Sequence, residues 1–251
     1  MNRNIIVSGA GTGIGRAIAQ QFARAGDHVV LLGRRAAVLE TAAQQINETL
    51  GAHRNAVTWI PVDLSSVPDV EAMLRTLEER EMTTIDVIVN NAGGVVHTAT
   101  HDLTDVAARW RQDFQTNVLT AVLLTEALLP RLRRPNGRII HLSSIAAIQG
   151  GGDSYSGAKA ALLGWTYHLA QVLGPQGITV NAIAPGYITD TEFFGESMTP
   201  ERYQRLIART LVGRAGTPTD VAAVAFFLAS GQASYLTGQV IHVNGGAAFG
   251  R

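Results

Sequence analysis

The sequence predicts an α/β fold, a single doubly wound domain built on a seven-stranded parallel sheet. Short apolar segments alternate along the chain with longer segments of helical character, and this alternation is typical of a parallel sheet with helices on both faces. A glycine-rich turn joins the first strand to the first helix. Polar residues follow most of the strands, at the edge where such sheets bind ligands.

The elements follow one another without a linker or an internal repeat, so one domain is expected over residues 1–251. The predicted strands span residues 5–8, 27–32, 56–61, 85–89, 137–142, 178–183 and 239–243. Helical patterns cover residues 16–23, 36–50, 67–80, 105 to about 133, 154–173 and 218–230. A loop-rich stretch with several aromatic residues predicts a substrate-lid segment at about residues 187–216.

Composition excludes several classes of protein. Lys plus Arg and Asp plus Glu both number 20, so no basic field indicates a nucleic-acid partner. Cysteine is absent, which excludes disulfides and thiolate chemistry and fits a reducing compartment. No signal peptide or membrane-spanning run is evident, so we expect a soluble cytoplasmic protein.

The glycine turn reads Gly9-Ala10-Gly11-Thr12-Gly13-Ile14-Gly15 and lies between a strand and a helix. This arrangement aims backbone N–H groups and a helix N-terminus at a phosphate. The spacing of Gly9, Gly13 and Gly15 differs from the common Gly-x-Gly-x-x-Gly. A tight turn without a ligand is the alternative.

The second strand ends at Gly33-Arg34-Arg35, where dinucleotide-binding folds place an acid for NAD or an arginine for the 2′-phosphate of NADP. Because Gly33 is not an acid and Arg34 can bind a phosphate, the sequence predicts NADP(H) as the preferred cofactor and NAD(H) as the alternative. Arg35 is a second candidate for this phosphate but could point to solvent instead. The two arginines could instead belong to a solvated helix start.

Tyr155 and Lys159 are four residues apart in a helical pattern, so their side chains share one helix face. A nearby ammonium favours the phenolate, and such a pair can exchange a proton with a substrate oxygen. Many helices contain this spacing by chance.

Other candidates have ordinary alternatives. Asp63 follows the third strand but could be a helix cap, and Asn117 could be a core or interface amide. His97 and His101 lack a third ligand, so we expect loop histidines and no metal site.

Together with Ser144, these motifs resemble the classical branch of the short-chain dehydrogenase/reductase family over nearly the whole chain. The matching motifs are Gly9-x-x-x-Gly13-x-Gly15, Asp63, Asn90-Asn91-Ala92-Gly93, Asn117, Ser144, Tyr155-x-x-x-Lys159, Pro185-Gly186, Leu236-Thr237-Gly238-Gln239 and Gly245-Gly246. The resemblance implies a Rossmann-type fold and hydride transfer between a nicotinamide and a carbonyl or secondary alcohol. Members of this kind include 3-oxoacyl thioester reductases.

The resemblance also implies roles for individual residues. Ser144 would bind the substrate oxygen, Tyr155 would exchange its proton, and Lys159 would hold the nicotinamide ribose and lower the pKa of Tyr155. Asn117 would support a water that links Lys159 to solvent. Cofactor contacts are expected from Gly9, Thr12, Gly13, Ile14, Gly15, Arg34, Arg35, Asp63, Leu64, Asn90, Ala92, Gly93, Tyr155, Lys159, Pro185, Gly186, Ile188, Thr189 and Thr191.

This sequence departs from the family pattern in three places. Ser8 replaces the usual threonine before the first glycine, and only eleven residues separate Ser144 from Tyr155. Thr189 and Thr191 flank Asp190, which occupies the slot of the threonine that usually meets the carboxamide.

Two other classes remain alternatives. A non-catalytic dinucleotide-binding protein need not retain the four catalytic-type residues, and an extended-branch epimerase or dehydratase would have a longer C-terminal region. The resemblance implies a homotetramer, or else a dimer, whose subunits contact through the helices around Asn117 and Tyr155. The expected ligands are a nicotinamide cofactor and a small carbonyl or alcohol substrate.

Overall fold

The structure is a computed structural model that describes residues 3–51, 56–96, 101–193 and 198–249. The strands are β1 (Asn4–Ser8), β2 (His28–Gly33), β3 (Val57–Pro61), β4 (Val87–Asn90), β5 (Arg138–Leu142), β6 (Thr179–Pro185) and β7 (Val240–Val243). The helices in these ranges are α1 (Gly13–Arg24), α2 (Ala36–Leu50), α3 (Val67–Glu79), α4 (Leu103–Phe114), α5 (Thr120–Leu128), α6 (Ala146–Gln149), α7 (Ser154–Leu173), α8 (Pro200–Ala208) and α9 (Pro218–Leu228). All seven predicted strands are present, with bounds that agree within two residues.

The strands form one parallel sheet in the order β3-β2-β1-β4-β5-β6-β7. The chain builds outward from β1 to β3 and then returns to the other side of β1 with β4. The connections after β1 and β4 therefore leave in opposite directions and open a crevice at the carboxyl ends of these strands. This order confirms the predicted doubly wound sheet.

The sheet has a hydrophobic core on each face because alternate residues of a strand point to opposite sides. Ile5 and Val7 of β1 lie in one core together with α1, α2 and α9, whereas Ile6 lies in the other with α3, α5 and α7. Burial on both faces explains why the strands are continuous apolar runs. Within the described ranges, no helix is both long and apolar enough to cross a membrane.

Ser8 joins the two strand ends that border the crevice. Its hydroxyl accepts hydrogen bonds from the backbone N–H groups of Asn91 and Ala92, each at 2.9 Å, and donates to the Val89 carbonyl at 3.2 Å. The Asn91 side chain returns two hydrogen bonds to the carbonyls of Ser8 and Gly9, at 3.0 and 3.1 Å. The floor of the crevice is therefore fixed by side chains as well as by the sheet.

The predicted helix from Asp105 to about Arg133 begins earlier and is interrupted. It begins at Leu103, where the Asp102 side chain caps the backbone N–H of Asp105 at 2.9 Å. A π-helical turn at Gln115–Leu119 separates α4 from α5. At this turn the Asn117 side chain donates to the Asp113 carbonyl at 3.0 Å, the group that the Asn117 backbone N–H would bond in a regular α-helix.

The predicted loop-rich segment also contains a helix, α8, which the sequence analysis missed. The Thr199 hydroxyl accepts from the Arg202 backbone N–H at 3.2 Å, and Pro200 follows at the first helical position. This Thr-Pro-Glu signal marks a helix start and was available in the sequence. The base of the segment is closed by hydrogen bonds from Thr189 N to Gly216 O at 2.9 Å and from Gly216 N to Tyr187 O at 3.0 Å.

We predict that Ser8→Ala lowers the free energy of unfolding by about 1–3 kcal/mol, because two partly buried N–H groups lose their acceptor. Urea denaturation of both proteins at one concentration measures the difference. Ser8→Thr retains the hydroxyl and is the matched control. Equal losses in the two variants would show that the hydroxyl does not join the strands.

Candidate active site

The glycine turn between β1 and α1 forms a cradle that only glycines permit. Gly9 and Gly13 have positive φ angles of 62° and 51°. A Cβ atom on Gly9 would lie 2.9 Å from Ala92 Cα, and one on Gly15 would lie 2.4 Å from the Gly9 carbonyl oxygen. Thr12 is the N-cap of α1, yet its side chain does not cap the helix and the first turn holds no acid. The turn therefore presents uncapped N–H groups that suit a phosphate.

The far end of the crevice lies beyond β2 and β3. Gly33 ends β2, and the Arg34 side chain that follows is exposed. Asp63 accepts hydrogen bonds from the Ser65 hydroxyl and backbone N–H at 2.7 and 2.9 Å. These two bonds lower the pKa of Asp63, and the charge of Arg34 lowers it further. Arg34 and Asp63 are therefore close enough to interact at this end of the crevice. Leu64, the residue after Asp63, is buried.

Arg35 is paired with a carboxylate from the lid segment. Its guanidinium lies 2.7 Å from Glu192, and the Thr12 hydroxyl lies 3.5 Å from the same carboxylate. Both members of the ion pair are more than half exposed, at 58% and 60%. The structure thus brings Arg35 to the glycine turn through Glu192, a residue that the sequence analysis did not consider.

Ser144, Tyr155 and Lys159 converge at the carboxyl end of β5. Ser144 follows this strand, whereas Tyr155 and Lys159 lie one turn apart on α7 and are 7% and 4% exposed. The Ser144 side chain lies close enough to the Tyr155 hydroxyl to lower the pKa of that phenol. Lys159 Nζ lies 5.7 Å from the centroid of the Tyr155 ring. Two hydroxyl groups and an ammonium group therefore meet in one largely buried site.

Burial sets the ionisation of this group. It raises the pKa of Tyr155 to about 12, which the hydrogen bond with Ser144 opposes and the charge of Asp113 reinforces. Burial also lowers the pKa of Lys159 to about 8. The net pKa shift of Tyr155 is therefore upward, opposite to the lowering expected from Lys159, because burial outweighs other influences and the Lys159 ammonium donates to the Leu142 carbonyl at 2.9 Å.

Asn117 lies at the π-helical turn and holds the loop after β4. Its amide donates to the Gly94 carbonyl at 2.9 Å, and its carbonyl oxygen accepts from the Gly94 N–H at 3.0 Å. A Cβ atom on Gly93 would lie 2.6 Å from Asn117 Oδ1 and 2.9 Å from Lys159 Nζ. The absence of a side chain at Gly93 thus lets Asn117 and Lys159 approach the same backbone.

Asp113 is a site residue that the sequence analysis missed. It is 1% exposed, accepts from the Val96 N–H at 3.2 Å, and accepts from the Ser154 hydroxyl at the start of α7. It therefore positions the helix that carries Tyr155 and Lys159. An acid four residues before Asn117, on the same helix face, was the available signal.

The Asn90 side chain does not face the crevice. It is buried beneath it, donates to Thr125 Oγ1 at 2.8 Å, and lies 3.2 Å from His141 Nδ1. A cofactor contact by Asn90 therefore depends on its main chain. Burial, helped by the charge of Lys159, lowers the pKa of His141 to about 3, so this second missed residue is neutral.

The lid segment begins at the carboxyl end of β6. Pro185 ends the strand, and a Cβ atom on Gly186 would lie 2.8 Å from the Asn244 side chain. Ile188 is buried, and Thr189 bonds to the base of the segment. Thr191 packs against the glycine turn, 3.2 Å from where a Cβ of Gly13 would be. Which of the two threonines meets a carboxamide stays a prediction.

Aromatic side chains of the lid segment form a wall beside the hydroxyl pair. The Phe193 ring packs edge-on against Tyr155 with centroids 5.5 Å apart, and Tyr187 packs against Tyr203 at 5.8 Å. The short connection between Ser144 and Tyr155 contains α6, whose Gln149 accepts from Arg209 at 2.7 Å. The lid segment and this connection therefore contact each other through Arg209 and Gln149, on the side where Phe193 packs against Tyr155.

His97 and Phe194 lie outside the described residues. Among those described, no group of three or more His, Asp or Glu side chains could hold a metal ion.

Comparisons with known proteins agree with this geometry. A family model described as Enoyl-(Acyl carrier protein) reductase matches residues 9–248. The chain is 34% identical to Nodulation protein G of Rhizobium sp. (strain N33), covering 98% of this chain and 97% of the relative. It is 33% identical to the 3-oxoacyl-(acyl-carrier-protein) reductase of Escherichia coli (strain K12), covering 96% and 95%. The chain belongs to the short-chain dehydrogenase/reductase family.

Solved structures of the family share its architecture. A short-chain dehydrogenase/reductase from Mycobacterium ulcerans superposes with a TM-score of 0.88 at 28% identity, covering 98% of this chain and 90% of that one. A glucose/ribitol dehydrogenase-type member from Brucella melitensis gives 0.85 at 30% identity, covering 99% and 98%. This short-chain dehydrogenase/reductase is therefore an oxidoreductase that acts on carbonyl or CH–OH groups with a nicotinamide cofactor. The glycine cradle fits the pyrophosphate of such a cofactor.

We predict that Lys159→Met stabilises this short-chain dehydrogenase/reductase at pH 7, because a buried charge is removed. The folded pKa of about 8 lies below the ordinary 10.5, so the unfolded chain binds the extra proton between these values. Stability of the wild type should rise with pH across that window as the cost disappears. The variant's advantage, on the order of 1–3 kcal/mol at pH 7, should shrink toward pH 10.

Urea denaturation of both proteins from pH 7 to 10 measures this difference, and other titrating groups largely cancel in it. An advantage that does not change with pH would contradict the origin proposed for the shift.

Proposed function

We propose that this enzyme is an NADP(H)-dependent ketone reductase with 3-oxoacyl thioesters as its first candidate substrates. The observation that carries the proposal is the convergence of the Ser144 and Tyr155 hydroxyls with Lys159, beside an apolar wall that includes Phe193. The printed name of the Escherichia coli relative supports the substrate class.

The arrangement suits protonation of a carbonyl oxygen that becomes an alcohol. The nicotinamide, when bound, supplies the hydride. Ser144 and Tyr155 bind the substrate oxygen, and their hydroxyl groups stabilise the negative charge that develops there. Tyr155 is protonated at neutral pH, as an ordinary phenol is, and burial raises its pKa further; it donates this proton to the oxygen. Lys159, protonated at pH 7, stabilises the phenolate that remains.

Four further roles complete the proposed site. Lys159 also holds the ribose next to the nicotinamide, and Asn117 positions Lys159 through the loop at Gly93 and Gly94. Asp63 meets the adenine through the carboxylate oxygen that Ser65 does not bond. Residues 187–216 form the lid over the substrate.

A panel of 3-oxoacyl and 2-enoyl thioesters, simple ketones and secondary alcohols, assayed with both cofactors, tests the substrate class. A 3-oxo group offers an oxygen to the two hydroxyls, and an isolated carbon–carbon double bond does not. We therefore expect reduction of the 3-oxoacyl thioesters with NADPH. Turnover of enoyl thioesters alone would contradict the proposed substrate class. Oxidation of secondary alcohols with NAD alone would favour the alternative of an NAD-dependent secondary-alcohol dehydrogenase.

Cofactor preference is proposed from Gly33 and Arg34. Gly33 removes the carboxylate that would repel a 2′-phosphate, and Arg34 can bind that phosphate with charge assistance. A hydrogen bond to a charged group contributes about 1.5–3 kcal/mol, or roughly ten- to 150-fold in affinity.

We predict that the wild type binds NADPH more tightly than NADH by one to two orders of magnitude. Arg34→Ala should remove most of this difference by weakening NADPH, because NADH has no 2′-phosphate to lose. Dissociation constants of both reduced cofactors, measured by calorimetry, test this. Equal wild-type affinities would show that Arg34 does not bind the phosphate.

We predict that Tyr155→Phe reduces turnover by at least about a hundredfold, the typical contribution of an acid–base group. Cofactor binding should persist because only a hydroxyl is removed. Steady-state kinetics and calorimetry on the same preparation separate the two effects. Near-normal turnover would favour a different proton donor.

We propose a homotetramer in the cytoplasm. Exposed apolar side chains on α4 and α7, such as Phe114, Tyr167 and Val172, support one contact, and Tyr235 and Phe249 near the C-terminus support another. The predicted result of light scattering at micromolar concentration is a tetrameric mass, or else a dimeric one. A monomeric mass would contradict both contacts.

A further inference from the structure

The carboxylate of Glu192 contacts two residues that border the cofactor crevice, Arg35 and Thr12. Its carboxylate is 2.7 Å from Arg35 Nη2 and 3.4 Å from Nη1, so both arms of the guanidinium face it. The Thr12 hydroxyl, at the N-terminus of α1, is 3.5 Å away. The lid segment thus reaches the turn that holds the glycine cradle.

Each group that contacts Glu192 also suits a phosphate. A guanidinium binds carboxylates and phosphates through the same pair of N–H donors. A helix N-terminus attracts anions, and α1 has no acid of its own in its first turn. The groups around the Glu192 carboxylate therefore have the chemistry of a phosphate site. Its partner Arg35 directly follows Arg34 in the sequence.

We propose that Glu192 is a specificity-determining residue, which competes with the 2′-phosphate of the cofactor for Arg35. The inference rests on the NADP(H) preference proposed above. To bind this phosphate, Arg35 must leave Glu192, whereas NADH requires no such exchange. Glu192 therefore reduces the preference that Arg34 provides, and the enzyme retains more affinity for NADH relative to NADPH than its two arginines alone would give.

The test is calorimetric titration of NADPH and NADH into the wild type, Glu192→Gln, Arg35→Ala and the double variant, at low salt. Glu192→Gln should bind NADPH about two- to fivefold more tightly, the range expected for one exposed ion pair, and NADH within twofold of the wild type. In the Arg35→Ala background the same change should have little effect on NADPH. Glu201→Gln removes an exposed carboxylate from α8 of the same segment and is the charge-matched control.

Three results would overturn the inference. Unchanged or weaker NADPH binding by Glu192→Gln would show that the carboxylate does not compete. Equal tightening of both cofactors would place Glu192 against the pyrophosphate instead, and an undiminished effect in the Arg35→Ala background would show that Arg35 is not the group contested. A wild type that prefers NADH would refute the proposed cofactor preference. The inference about Glu192 would still be tested, because the effect of Glu192→Gln on NADPH binding can be measured whichever cofactor binds more tightly.

Discussion

The site depends on the hydrogen bonds that join the ends of β1 and β4 through Ser8 and Asn91. A parallel sheet fixes the strands along their length, but the connections leave in opposite directions at the point where the strand order reverses. The backbone there would otherwise have unpaired polar groups. The Ser8 hydroxyl and Asn91 amide satisfy them and keep Gly9 in contact with Ala92, so the glycine turn and the loop that ends at Gly93 have a fixed relation.

On this base, burial sets the ionisation of Tyr155 and Lys159 and the energetic cost of holding them in the interior. Tyr155 and Lys159 are nearly inaccessible, and each is driven toward its uncharged form. The same low polarity strengthens any interaction with charge that develops on a substrate oxygen. Asp113 supports this arrangement from below by bonding Ser154 at the beginning of α7. The protein thus accepts a less stable interior in exchange for a preorganised site, as enzymes commonly do.

The parts of this structure that local patterns control could be predicted from the sequence. Continuous apolar runs predicted the strands, and the glycine spacing together with Ser144, Tyr155 and Lys159 predicted the family and the reaction class.

The features that were not predicted depend on partners distant in the sequence. Asp113 and Glu192 look like ordinary helix and loop acids until folding brings them to Ser154 and Arg35. At the π-helical turn the Asn117 side chain bonds the carbonyls of both Asp113 and Gly94, and the pKa of Tyr155 depends on burial; spacing along a helix reveals neither. The start of α8 was legible in Thr199 and Pro200, so its omission was an error of interpretation and not a limit of the sequence.

The two hydrogen bonds between Tyr187, Thr189 and Gly216 have an evolutionary consequence. They close the lid segment at its base, so its length and composition can vary without disturbing the strand before it or the capped helix α9 after it. Variation in this segment is therefore limited less by the sheet than by the contacts of Thr191 with the glycine turn and of Glu192 with Arg35. A graft of the equivalent segment from another member, cut between these paired residues, would be the natural unit of exchange for redesigning what the enzyme accepts.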